Sequence, residues 1–168
     1  MWLLHPFVRF SCRLFLLTLE AKGMSNFSKD LSFGKTWESV AMRMVSAEAS
    51  LRGVGGVAIP SPTGAFKEWD FKVGEATYEV KSDRLAYKFG GKTMFIEREC
   101  GGVPSGIHAT KADYWVYFMV RPNGEYTTYR IPTADLKEAT KGCRQVSGGD
   151  GMRSKGFIVP VKSEWLFC

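Results

Sequence analysis

The stretch ADYWVYFMV, residues 112–120, limits the fold more than any other part of the chain. It is rich in aromatic and β-branched residues and apolar apart from Asp113. A strand with one wet face alternates apolar and polar residues, so a run without a polar face reads as a central strand buried on both sides. A sheet built on it needs cover on each face. The chain has the material for this: 168 residues, 45% hydrophobic and 24% charged, which fits one globular domain.

The rest of the pattern supplies neighbours for that strand. Residues 36–52 read as a helix, with Trp37, Val40, Met44, Ala47 and Leu51 in an apolar stripe, Ala41 widening it and Glu48 its one charged member. The Gly/Pro-rich segment 52–64 ends the helix in an extended loop. Strands are expected at 67–73, 76–82 and 92–99, the first two joined as a hairpin through Gly74-Glu75 and the third preceded by a turn at Phe89-Gly90-Gly91. CGGVPSGIHAT reads as a loop with one helical turn. After the central strand come a turn at 121–124, a strand EYTTYRI, a helix over 133–141, a loop SGGDG and a last short strand GFIVPV.

Residues 1–23 stand apart, apolar with scattered arginines. The run LFLLTL is shorter than the ~18 residues of a membrane span, and the small-residue pattern of a cleaved leader is poor. We expect 1–23 to be a dispensable extension, or to lie upstream of a true start at Met24. Residues 24–168 then form a single domain without a membrane partner. The four cysteines at 12, 100, 143 and 168 are widely spaced with no CxxC pair, which argues against zinc and for reduced thiols in a cytoplasmic setting. Net charge is +6 and the pI about 9.2, a mild pointer to a polyanionic partner. Gly34-Lys35-Thr36 and Gly91-Lys92-Thr93 lack the glycine five residues upstream that a phosphate-binding loop requires, so no nucleotide cofactor is expected.

The chemistry concentrates in WDFKVGEATYEVKSD, residues 69–83. Period-two alternation puts Glu79 and Lys81 on one strand face, and hairpin pairing brings Asp70 near Glu79. Two readings of these charges stand: a solvated sheet face, or a metal site with its lysine. Carboxylates that close repel unless a divalent cation lies between them. Magnesium takes carboxylate and carbonyl oxygens, which Asp70, Glu79 and the Val80 carbonyl would supply; Lys81 would orient water or stabilise charge on a phosphate.

Asp70, eight residues, then Glu79-Val80-Lys81 resembles the signature of the PD-(D/E)XK nuclease superfamily, with Trp69 in place of the usual proline. The order helix, three strands, link, strand is similar to that family's αβββαβ core. FIERECGGVPSGIHATKADYWVYF resembles a block of its small phage-type and Holliday-junction-resolvase-like members. The resemblance covers about residues 33–120. It implies an α/β, restriction-endonuclease-like three-layer core: a central mixed sheet flanked by helices. It also implies a Mg²⁺-dependent DNA endonuclease, with Mn²⁺ able to substitute, acting on branched or duplex DNA as a homodimer in a bacterial or phage-infected cytoplasm. Structure-selective cleavage in recombination or repair is the leading reading. A restriction-type enzyme, an exonuclease and a catalytically silent DNA-binding protein are the alternatives.

Carried over by position, the catalytic set is Asp70, Glu79, Lys81 and Glu38, the last as the first-helix glutamate that many members place beside the metal; Glu48 is its rival. Glu97 would join the site if its strand neighbours the hairpin. The loop holding Ser105, His108, Thr110 and Lys111 would face the DNA backbone. Lys35, Arg84, Lys88 and Lys92 would add phosphate contacts.

Overall fold

A computed structural model describes residues 26–62, 68–148 and 152–167. The expectations for residues 1–23 and for a start at Met24 lie outside these. Helix α1 spans Asn26–Leu51. The strands are β1 Ile59–Pro60, β2 Phe71–Val73, β3 Ala76–Asp83, β4 Thr93–Cys100, β5 Val103–Pro104, β6 Tyr114–Val120, β7 Tyr126–Pro132, β8 Gln145–Gly148 and β9 Ser154–Pro160. Helix α2, Thr133–Thr140, lies between β7 and β8. Short 3₁₀ helices occupy Ala86–Phe89, Gly106–His108 and Ser163–Trp165. The class is α/β with a mixed sheet. No helix among the described residues is long and apolar enough to cross a membrane.

The run that anchors the sequence reading becomes β6. It pairs in parallel with β3 and antiparallel with β7, within a five-stranded sheet of order β1-β2-β3-β6-β7. Its side chains feed two separate cores, as a strand without a polar face must. Val116, Phe118 and Val120 join Phe71, Tyr78 and Val80 against Trp37, Val40, Ala41 and Val45 of α1. On the opposite face Trp115, Tyr117 and Met119 pack on Met94 and Ile96 of β4, Val159 of β9 and Leu136 of α2. The layers are therefore helix, mixed sheet, and a second sheet of order β5-β4-β9-β8.

Several boundaries differ from the sequence reading, each for a physical reason. The buried face of α1 keeps Trp37, Val40 and Ala41 from the expected stripe but continues through Val45 rather than through Ala47 and Leu51. Ala47 is exposed and Leu51 is 89% exposed, because a stripe stepping by three and four drifts around the helix relative to the sheet beneath it. Strand 92–99 forms as β4 but does not join the hairpin; its backbone pairs with β9 and β5 in the second sheet. The third member of the meander is instead β1, inside the segment read as loop, where Ile59 and Pro60 pair with Lys72 and Phe71. Proline there is tolerated because β1 is an edge strand. Parallel pairing of β3 with β6 requires a crossover, usually helical. Here the crossover runs through the β4–β5 hairpin and two 3₁₀ turns, so a second sheet covers the face where a flanking helix was expected. The Gly74-Glu75 turn forms as expected, with Gly74 at φ 58°.

Phe118 has no exposed surface, and its ring packs against Trp37 with centroids 4.7 Å apart and the planes tilted by 40°. Phe118→Ala is expected to lower the unfolding free energy by about 3–5 kcal/mol. Leu51→Ala, at the exposed helix end, should change it by less than about 0.5 kcal/mol. Urea denaturation of both variants checks which helix face the core uses.

Candidate active site

On β3, Tyr78 and Val80 point toward α1, so Glu79 and Lys81 point the other way, toward the second sheet. Register places Glu79 beside Trp115 and Lys81 beside Tyr117, and the Lys81 ammonium lies 5.7 Å over the Trp115 ring. Glu79 is only 7% exposed. Its Oε1 lies 2.6 Å from Lys81 Nζ, and its Oε2 lies 3.2 Å from the Thr110 hydroxyl.

Asp70 arrives from the other arm of the hairpin. Its N–H donates to the Tyr78 carbonyl at 2.8 Å, and its Oδ2 accepts from the Val80 N–H at 2.7 Å. The side chain thus continues the β2–β3 ladder just before β2 begins. In an extended strand a residue's N–H and C=O project to the same side, so the Val80 carbonyl points toward this edge with Asp70. Asp70 is thereby tied to the backbone of Val80, between Glu79 and Lys81 on β3.

The electrostatics follow from burial. The Glu79 carboxyl sits above its ordinary value, first because burial penalises the anion and also because Asp70 repels it; Lys81 works against both. Burial alone would push Lys81 down, but the charges of Glu79, Asp70 and Glu97 outweigh it and hold the ammonium above its ordinary value. Lys81 is therefore a cation at neutral pH.

Glu38 stays in the α1 layer, where its carboxylate is held by Lys35 at 2.7 Å. It is not among the charges acting most strongly on Glu79 or Lys81. Glu48 is paired with Arg52 and Arg130 beside a cavity of about 390 Å³ at the β2–β3 turn, lined also by Tyr78 and Tyr114. That network occupies Glu48 away from the Asp70 side of the hairpin.

The loop before β6 has a different role from the one expected of it. Thr110 is buried, and its hydroxyl lies 3.2 Å from both Glu79 Oε2 and the Glu68 carbonyl while accepting from the Ala112 N–H. Ser105 donates to Glu97 Oε1 at 2.8 Å. These hydroxyls are engaged by protein groups, which leaves them poorly placed for phosphate. Lys111 pairs with Glu68. His108 is exposed beside Phe157, with ring centroids 6.2 Å apart. Arg84 pairs with Asp30 and lies over the Phe33 ring, while Lys88 and Lys92 are exposed along the segment leaving β3. Asp113 accepts from both the N–H and the hydroxyl of Thr77, at 2.9 and 2.8 Å, and so locks the start of β6 to β3. The positioning roles of Ser105 and Thr110 were missed in the sequence.

Among the described residues no three His, Cys, Asp or Glu side chains converge as a ready-made metal cage. Magnesium does not need one, since it is commonly bound through one or two carboxylates with water and substrate phosphate completing the shell. The donors are hard oxygens, and the carboxylates at the hairpin repel each other. Asp70, Glu79 and the Val80 carbonyl therefore fit a small divalent cation. Comparison with protein-family models and with curated protein sequences gives no match.

Because Glu79 is raised above 4.5, the native state keeps a proton that the unfolded state has released. Its contribution to stability is complete below 4.5 and is lost as pH rises through the raised value. Without divalent cation, the stability of the native sequence relative to Glu79→Gln should fall as pH climbs from below 4.5 toward neutrality. Urea unfolding across that range checks it, and a pH-independent difference would contradict it.

Proposed function

We propose that the chain is a divalent-metal-dependent DNA endonuclease of the restriction-endonuclease-like fold, resembling the small junction-resolving members of the PD-(D/E)XK superfamily. The observation that carries the reading is the meeting of Asp70, Glu79 and Lys81 at one sheet edge, with Lys81 2.6 Å from Glu79. The topology supports it as well. A helix precedes an antiparallel β1-β2-β3 meander, and a crossover then leads to β6 parallel to β3. The αβββαβ core has that order, although no α-helix forms in this crossover.

In this reading Asp70, Glu79 and the Val80 carbonyl hold Mg²⁺, with Mn²⁺ a substitute. When bound, the cation supplies Lewis-acid stabilisation of charge on the scissile phosphate. Lys81 orients the attacking water and offsets charge on a non-bridging oxygen. Thr110 keeps Glu79 facing the site. The second sheet packs on the same face of β6 and covers one flank of the site. Exposed Lys88, Lys92 and His108, with Lys35, Arg84 and Lys111 in more labile surface pairs, supply phosphate contacts whose strength depends on salt. A homodimer would let two such sites cut opposite strands of a branched substrate.

The test is a cleavage panel of four-way junctions, flaps, linear duplex and single strands with Mg²⁺ or Mn²⁺. Wild type should cut a junction or duplex. Asp70→Ala and Lys81→Ala should each lose at least about a hundredfold in rate while retaining DNA binding in EDTA. Undiminished cleavage by Asp70→Ala would remove the site. Binding without cleavage of any form by wild type would favour a silent DNA-binding protein.

A further inference from the structure

Glu97 belongs to β4, in the second sheet, which does not pair with the hairpin that carries Asp70, Glu79 and Lys81. Its charge nevertheless acts on Lys81, together with those of Glu79 and Asp70. The loop before β6 accounts for how it is held there. Ser105 donates to Glu97 Oε1 at 2.8 Å, and the Ser105 N–H donates to the Arg98 carbonyl at 3.0 Å. Gly106 then lies so close to β4 that a Cβ there would come within 2.3 Å of the Glu97 carbonyl oxygen, at a φ of +49° that side chains rarely adopt. Ile107, 1% exposed, anchors the turn in the core between the sheets. Four residues after Gly106, Thr110 reaches Glu79 on β3. One loop therefore carries a hydroxyl at each end, and each hydroxyl holds a carboxylate from a different sheet.

We propose that Glu97 is a third carboxylate of the site, a positioning residue held by the same Ser105–Thr110 loop that holds Glu79. The inference rests on the metal-dependent reading above. Asp70, Glu79 and Glu97 carry three negative charges and Lys81 one positive, leaving two to be balanced, which is the charge of one divalent cation. Glu97 does not complete a direct three-carboxylate cage with the others. It acts on Lys81 and on the water around a cation held by Asp70 and Glu79. Such outer groups orient and tune a metal's ligands, and their loss typically costs about 10–100-fold in metal affinity.

Mn²⁺ binding to the full chain, read from the electron paramagnetic resonance signal of free Mn²⁺ without DNA, tests this apart from cleavage. Glu97→Gln keeps the shape and removes the charge, and is expected to weaken Mn²⁺ about tenfold or more. Glu97→Asp should recover part of the loss. Ser105→Ala, which frees the carboxylate without removing it, should weaken binding by a smaller factor. Glu99→Gln, two residues along and paired with Lys155 at 2.9 Å, should bind as wild type does. Circular dichroism and thermal melting establish that each variant folds, and Ser105→Ala carries the test if Glu97→Gln does not. Wild-type affinity in folded Glu97→Gln and Ser105→Ala, with binding lost in Asp70→Asn, would overturn the role of Glu97 and leave the metal site standing. Absence of Mn²⁺ binding by wild type would overturn the metal reading and this inference with it.

Discussion

The Glu79–Lys81 pair, set between two sheets, is the interaction around which the site is organised. Next-but-one neighbours on a strand share a face, so the pair costs no long-range search to form. The burial of Glu79 is the expensive part: a carboxylate taken out of water is stable there only when well partnered, whereas the Lys81 side chain keeps 39% of its surface exposed. The structure meets that condition asymmetrically. Glu79 has Lys81 on one oxygen and Thr110 on the other. Lys81 faces Glu79, Asp70 and Glu97 and remains positively charged. The excess of negative charge that results is what a structural ion pair would lack, and it supports the metal reading proposed above.

The mixed sheet sets where that pair lies. β6 supplies the apolar floor on both sides of β3's neighbour row, and Asp113 fixes its register to Thr77. A slip of one residue would turn Glu79 and Lys81 onto the α1 face and Tyr78 and Val80 into the site. The register lock and the packing of Phe118 on Trp37 therefore hold Glu79 and Lys81 on the face away from α1.

What the sequence disclosed was local. Alternation along 76–82, the Gly74 turn and the unbroken apolar run of β6 each follow from a rule acting within about ten residues, and each appears where it was expected. The long-range pairings were not legible. Nothing within MFIEREC distinguishes a strand that extends the hairpin sheet from one that pairs with a segment sixty residues later, because backbone hydrogen bonds carry no sequence label. Ile59-Pro60 was hidden for the opposite reason: proline and glycine around it spoke for a loop, and only its place at an edge lets it pair. Within the site, the acidic residues and the lysine could be read from spacing. The hydroxyls of Ser105 and Thr110 could not, since a serine or threonine bonded to a buried carboxylate is indistinguishable in sequence from one facing solvent.

The account as a whole stands on Asp70 and Glu79 sharing a divalent cation. Diffraction from crystals soaked in Mn²⁺, recorded for anomalous scattering, measures this directly. We predict an anomalous peak at the β2–β3 edge, about 2 Å from an oxygen of Asp70 and an oxygen of Glu79. No peak there in crystals with the soak-level cation, or a peak ligated only elsewhere on the chain, would contradict it.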